Sequence, residues 1–143
     1  MNINEFKTAL AEGEFNGQLL KLYGETEEST QRYLKLLEDF NTRYPEADEI
    51  RVFSAPGRTE IGGNHTDHQH GCVLAGGVQL DVIAAVALNQ SGTISVTSEG
   101  FGTDVISLDD LDKKTDEEGS SVVLLRGVCK GFRDKGVELK GRS

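Results

Sequence analysis

Basic residues are scarce in this chain of 143 residues: 15 Lys and Arg stand against 24 Asp and Glu, a formal net charge of −9. Nucleic acid and anionic membrane surfaces are normally met by clustered Lys and Arg, so this balance argues against both as partners, although one loop could still oppose the global sign at a bound nucleotide. Long apolar runs are missing as well. The longest, Val82 to Leu88, is far too short to cross a bilayer, and the opening "MNINEFKTALAEGEF" lacks the apolar stretch of a secretory signal. Cysteine is limited to Cys72 and Cys129, far apart and outside any C-x-x-C spacing. These absences predict a soluble cytoplasmic protein with two reduced, partly buried thiols. The apolar fraction of 36% suits a globular chain, and a chain of this length buries about 70% of its unfolded surface, enough for one domain with a core.

The first third of the chain has helical periodicity. Phe6 and Leu10 share a face before Gly13, and Phe15, Leu19, Leu20 and Leu22 resume the pattern up to Gly24. Thr26 is placed to act as the N-cap of another helix, with Glu27 and Glu28 in the first turn, where the helix dipole favours acids. Tyr33, Leu36, Leu37, Phe40 and Tyr44 then recur at three- and four-residue steps until Pro45 ends the helix. From Ile50 the period changes. "IRVFSAPGR" predicts a strand leading into a turn at Pro56-Gly57, and "CVLAGGVQLDVIAAVALN", Gln90-Ser91-Gly92 and "TISVTSEG" predict an antiparallel hairpin. Asp104–Leu108 reads as a further strand, and "DDLDKKTDEEGS" as a solvated connection. Val122, Leu125, Val128, Cys129 and Phe132 have helical spacing after Gly119-Ser120-Ser121, with Gly136 as the C-cap candidate, and Val137–Leu139 could open another strand. The class is α+β: a helical lead-in over 1–45, then a β-rich part over 50–143 with a helix near 120–135.

Chemistry concentrates in "GRTEIGGNHTDHQHG", Gly57 to Gly71, which holds all three histidines of the chain together with Arg58, Glu60 and Asp67. Glycines at 57, 62, 63 and 71 let backbone approach a ligand or adopt positive φ. His65-x-Asp67-His68-x-His70 offers zinc donors, but a structural zinc site usually draws on two separate elements and no second Cys or His cluster is present. No metal is expected here. A sugar or polyol site suits the residues better, because charged groups converging on vicinal hydroxyls discriminate strongly when a hydroxyl is misplaced.

At "APGRTEIGGNHTDHQHG" the chain resembles galactokinases, members of the GHMP small-molecule kinases. Their signature is a Gly-Arg, an Asn, an aliphatic pair, Gly-Glu-His, any residue, then Asp-Tyr. Its Gly-Arg falls on Gly57-Arg58, its His on His65 and its Asp on Asp67. The resemblance extends to "LYG" (Leu22–Gly24) and to "LLRGVCKGF" (Leu124–Phe132). It implies a GHMP N-terminal domain with a left-handed β-α-β crossover of the ribosomal-protein type, a mixed sheet with helices on one side, and an antiparallel hairpin within it. It also implies ATP-dependent phosphorylation of the anomeric hydroxyl of galactose, with magnesium. In that reading Arg58 sits beside the transferred phosphoryl group, Asp67 accepts from two sugar hydroxyls and His65 fixes a third. The chain departs from the pattern where the family's sugar-binding glutamate falls on Asn64, its asparagine on Glu60 and its tyrosine on His68, so these three are candidate substrate contacts that leave a related hexose open.

The family's Gly-Leu-Ser-Ser-Ser-Ala phosphate loop is not in this sequence. Gly119-Ser120-Ser121 is the nearest match and reads as a helix cap, and the pattern G-x-x-x-x-G-K-[ST] is absent. The expectation is an N-terminal galactokinase fragment that is inactive alone and prone to dimerise through uncovered apolar sheet. A sugar-sensing module and a zinc-binding interaction domain are the alternatives.

Overall fold

The computed structural model describes residues 1–63 and 66–141, with Asp67 described by its backbone alone. The chain divides into two compact units, residues 1–45 with 51–85, and residues 46–50 with 86–143.

The first unit begins with three helices, α1 (Ile3–Ala11), α2 (Asn16–Tyr23) and α3 (Glu27–Arg43). A capping box starts α1: the Asn2 side chain accepts from the Glu5 amide at 2.9 Å, and the Glu5 carboxylate accepts from the Asn2 amide at 3.0 Å. Gly13 turns the chain with φ of 79°, and α2 closes on Gly24 in the left-handed conformation. Stacking of Phe6 on Phe15, ring centroids 5.0 Å apart, holds α1 to the start of α2. Tyr33, Leu37 and Phe40 of the α3 stripe are buried, with Leu10 and Leu19, while Leu20 and Leu22 are exposed. Thr26 does occupy the N-cap of α3, but its side chain caps nothing. The Glu25 carboxylate takes the amides of Glu28 at 2.8 Å and Ser29 at 3.0 Å instead, its charge serving the helix dipole as well.

Two long strands follow, β1 (Ile50–Gly62) paired with β2 (Leu74–Ala87). The expected turn at Pro56-Gly57 does not form; β1 runs through it. A proline is tolerated on an edge strand, and a two-stranded sheet has only edges. Gly57 makes the close approach possible, since a Cβ there would lie 3.0 Å from the Leu80 carbonyl oxygen and 3.1 Å from Val78 Cγ2. Contacts progress in opposite directions along the two strands: Ser54 meets Asp81, Gly57 faces Val78 and Leu80, Gly76 faces Ile61, and Gly63 faces Cys72 and Val73. The pair is therefore an antiparallel hairpin with residues 63–73 at its tip.

Alternation along the strands sorts its two faces. Ser54, Gln79 and Asp81 reach the helices, Gln79 Nε2 donating to the Leu22 carbonyl at 3.2 Å. The opposite face carries Phe53, Ile61, Leu74, Leu80 and Val82, between 53% and 78% exposed.

In the second unit β3 (Thr93–Thr97) pairs antiparallel with β4 (Thr103–Ser107), from Thr93↔Ser107 to Thr97↔Thr103. The expected hairpin of β2 with β3 is thus replaced by two others, β1–β2 and β3–β4, in separate two-stranded sheets. The physical reason is length: β2 matches the thirteen residues of β1 across most of its own span, whereas β3 has five. Helix α4 (Ser121–Asp134) packs on β4. Ile106, Leu108, Leu111 and Cys129 form the core, with Ile94, Val122, Leu125 and Leu139 against it. Ser120 is the N-cap of α4, as expected, but its hydroxyl donates back to the Glu117 carbonyl at 2.6 Å. Gly136, φ 78°, follows the Lys135 C-cap. Val137–Leu139 forms no strand; Leu139 goes to the core instead.

Arg126 is buried in this unit. It donates to both Glu117 oxygens, at 2.7 and 2.6 Å, and to the Asp110 carbonyl. The paired hydrogen bonds hold Glu117 below and Arg126 above their ordinary values. Burial raises the Cys129 thiol. Cys72, expected to be partly buried, is exposed because it lies at the hairpin tip.

Candidate functional site

The candidate residues divide between the upper part of β1 and the tip of the hairpin, so not all of them belong to one loop. Arg58 and Glu60 are strand residues, both exposed and two positions apart, which sets them on one face of β1. The sequence reading placed them in the glycine-rich loop; continuation of the strand past Gly57 moves them out of it. His68 lies in a 3-10 turn, Asp67–Gln69, and is exposed. The Asp67 backbone opens that turn, and Asn64 and His65 lie outside the described residues. His70, also exposed, adopts φ of 64°, the left-handed region that a non-glycine residue rarely visits.

A residue that sequence reasoning passed over builds the tip. Thr66 accepts at its carbonyl from the amides of Gln69, 3.0 Å, and Gly71, 2.8 Å. Its hydroxyl donates to the Gly63 carbonyl at 2.9 Å, with the Cys72 carbonyl at 3.5 Å on the other side of the neck. Glycine is required at both ends. A Cβ on Gly63, whose φ is 116°, would lie 2.6 Å from the Cys72 carbonyl oxygen, and one on Gly71 would lie 2.3 Å from Thr66 Oγ1. Thr66 falls on a position that the family signature leaves free, which is why the motif alone did not single it out.

The hairpin is fixed to the helices by Asp81, the lone carboxylate in "VQLDVIAAVAL". Tyr23 donates to Oδ2 at 2.7 Å and Ser54 to the same oxygen at 2.5 Å. Arg32 donates to Oδ1 at 2.5 Å and to the Asp81 backbone carbonyl at 2.8 Å. The proton of Tyr23 is committed to Asp81, so the Tyr33 hydroxyl, 2.8 Å away, donates to Tyr23. Burial alone would raise the Asp81 carboxyl. Hydrogen bonds from Ser54, Tyr23 and Arg32, with the Arg32 charge, outweigh it and bring the value down to about 2. Tyr33 is pushed well above the usual phenol range, first by burial and then by its bond to Tyr23. A charged residue inside an otherwise uncharged strand was the available sequence signal for this network; its partners are 27 to 58 residues away.

Residues 38–88, from the end of α3 through β1, the tip and β2, match the galactokinase galactose-binding signature. The galactokinase of Candida maltosa is 36% identical over 93 residues, which are 62% of this chain and 43% of that protein. The galactokinase of Lactococcus lactis subsp. lactis is 30% identical over 113 residues, 73% of this chain and 28% of the relative. Among solved structures, the Lactococcus lactis galactokinase complexed with galactose superimposes with a TM-score of 0.63 at 26% identity, covering 73% of this chain and 28% of that one. The chain is homologous to part of these galactokinases. It is an α+β segment that spans less than half the length of the relatives named here.

The segment's own residues do not make a nucleotide cradle at Gly119-Ser120-Ser121. The Ser120 hydroxyl is engaged by Glu117, the Ser121 hydroxyl donates to the Asp104 carboxylate, and the acids Asp116 and Glu117 precede the helix, where a polyphosphate would be repelled. Among the described residues no group of three His, Cys, Asp or Glu is placed to hold a metal ion. No helix among them is long and apolar enough to cross a membrane.

Proposed function

We propose that the β1–β2 hairpin is the sugar-gripping part of a galactose kinase, whose full-length form transfers the γ-phosphoryl group of ATP to the anomeric hydroxyl of galactose. One observation carries this reading: the family's galactose-binding signature coincides with a hairpin that has a built tip and is anchored to a helical layer. Within it Arg58 is the catalytic residue, a fixed positive charge for the negative charge that develops on phosphoryl transfer. Asp67 and His65 bind sugar hydroxyls, and Asn64, Glu60 and His68 complete the substrate contacts. ATP and Mg2+ are held by parts of the parent other than Gly119–Ser121, and 1–143 forms part of a single GHMP N-terminal domain. An exposed free thiol at Cys72 suits a reducing compartment, the cytoplasm.

A related hexose is the second reading. It is favoured by Asn64 where the family has a glutamate, because an amide keeps the hydrogen bond but loses the charge. The apolar face bearing Phe53, Ile61, Leu80 and Val82 also supports self-association of the 143-residue chain. A monodisperse monomer by light scattering at high concentration would remove that part.

The deciding experiment is calorimetric titration of the chain with galactose and its epimers, paired with ATP-dependent turnover by the full-length parent. Galactose binding with turnover supports the reading, and preference for another epimer selects the related hexose. Binding to the parent without turnover would make it a sensor, and no sugar binding by either would overturn the proposal.

A further inference from the structure

Helix α4 is apolar on two sides. Val122, Leu125 and Cys129 turn to the core of their unit. The other side carries Leu124, Val128 and Phe132, which recur at every fourth position and are 72%, 60% and 51% exposed. A surface helix normally presents polar residues to solvent, so a second apolar side marks a place for a partner. Beside this ridge runs another row with the same spacing, Gly127 and Gly131. Among the described residues, nothing lies within 4 Å of where a Cβ on either glycine would stand, so the row is an open groove floored by backbone. Neither glycine has positive φ, so the helix itself does not require them. Each weakens a helix relative to alanine, which leaves close approach of a partner as their use.

We propose that this face of α4 docks on the same face of a second copy of the chain, the two helices running antiparallel about a twofold axis. Ridge and groove lie side by side with equal spacing, so Leu124, Val128 and Phe132 of each copy enter the glycine row of the other. Packing of four-residue ridges into four-residue grooves is the commonest way in which helices meet. A patch that holds both halves of its own complement is what a twofold contact needs. The charges agree with this direction. Six acids and two lysines lie between Asp109 and Glu118, before α4, whereas Lys130, Arg133 and Lys135 gather with Asp134 at its end. Antiparallel pairing therefore sets the basic end of each helix beside the acidic start of the other, and opposes the two helix dipoles. The net charge of −9 on each copy repels at long range, but salt screens it beyond about 8 Å at physiological strength. One helix per copy makes a small interface, under about 1,200 Å2, so the expected dimer is weak, with a dissociation constant of about 10–100 μM. The inference is independent of the sugar reading and uses a face other than the apolar face of the hairpin.

The test is analytical ultracentrifugation of the 143-residue chain at physiological salt, with wild type beside two variants. Gly127→Leu with Gly131→Leu fills the groove, and Leu124→Lys breaks the ridge. Wild type should associate reversibly. Filling the groove should raise the dissociation constant at least about tenfold while the thermal midpoint of the monomer stays level or rises, since leucine is the better helix former. That opposition of sign separates docking from a structural role, which would lower both. Leu124→Lys should weaken association to a similar degree. A cross-link gives a second measurement. Val128 is the middle of the ridge and lies nearest the twofold axis, so Val128→Cys combined with Cys72→Ser should trap the dimer under mild oxidation. Adding Val82→Ser on the hairpin face should leave the cross-link unchanged. A wild-type chain that stays monomeric to about 1 mM overturns the proposal. If the thiol of Val128→Cys is then shielded from reagent in the full-length parent, the rest of the parent is the occupant instead. Equal association in the groove-filled variant also overturns it, as does a cross-link that depends on Val82. Should the leucine variants fail to fold, the cross-link decides alone, and its failure ends the proposal.

Discussion

The base and the tip of the β1–β2 hairpin are held by opposite means. At the base, Asp81 is half-buried, with little of its side chain exposed, and collects side chains from α2, α3 and β1, all charged or hydroxylic, over sequence separations of 27 to 58 residues. At the tip, Thr66 works on backbone groups no more than six residues away, with glycines supplying the space. The base thus resists unfolding, since a partly desolvated, ionised carboxylate cannot lose its donors without penalty. The tip resists only local rearrangement. A hairpin built this way keeps its register at one end and can tune a ligand site at the other. Register matters here because a slip of one residue would turn Arg58 and Glu60 to the opposite face.

The largest effect that would sharpen this contrast is expected from Asp81→Ala. It leaves Arg32, Tyr23 and Ser54 without their acceptor and should destabilise the chain by roughly 3 kcal/mol in urea unfolding, with Arg32 partly rescued by water. A loss under about 1 kcal/mol would show that the base is not the stronger anchor. Gly63→Ala comes next. Its φ of 116° and the Cys72 carbonyl 2.6 Å from the new methyl should cost about 2 kcal/mol and alter amide shifts across 63–73 more than anywhere else. Shift changes centred on β2 near Asp81 instead would mean that the two ends are mechanically one.

Acid titration separates the ends by another route. Asp81 has its carboxyl near 2 in the fold against 3.8 ordinarily, so its contribution is complete above 3.8 and disappears as pH falls from there toward 2. The loss amounts to about 2 kcal/mol, and the difference in stability between wild type and Asp81→Asn should shrink by that amount between pH 5 and pH 2. A pH-independent difference would refute the network. The smallest effect is assigned to Tyr23→Phe, which removes one of several donors and should cost about 1 kcal/mol while leaving Gln69 and Gly71 exchange unchanged.

Much of this was legible from residues alone. The α3 stripe, the position of Ser120 before α4 and the Cys129 face all depend on local spacing, and the structure places each accordingly. Strand partners were not legible. "TISVT" follows β2 with a short glycine turn between, which reads as a hairpin, yet each strand takes a different neighbour. The proline at 56 looked like a turn because its backbone preference suits one, and only the partner strand across from Gly57 shows that the chain stays extended. Thr66 and Asp81 escaped notice for different reasons. The former occupies a variable place in the motif, and the latter has partners that no local window contains.

What the amino-acid order determined unaided was periodicity, capping sites and a chemically dense stretch from Gly57 to Gly71, because each depends on interactions within a few residues. Only the tertiary structure decided which strands pair, that Arg58 and Glu60 lie on a strand and His68 on a tip, and that one half-buried aspartate joins three elements. Those outcomes follow from competition among contacts distant in sequence, where matched length, backbone approach and the desolvation of a charge select one arrangement.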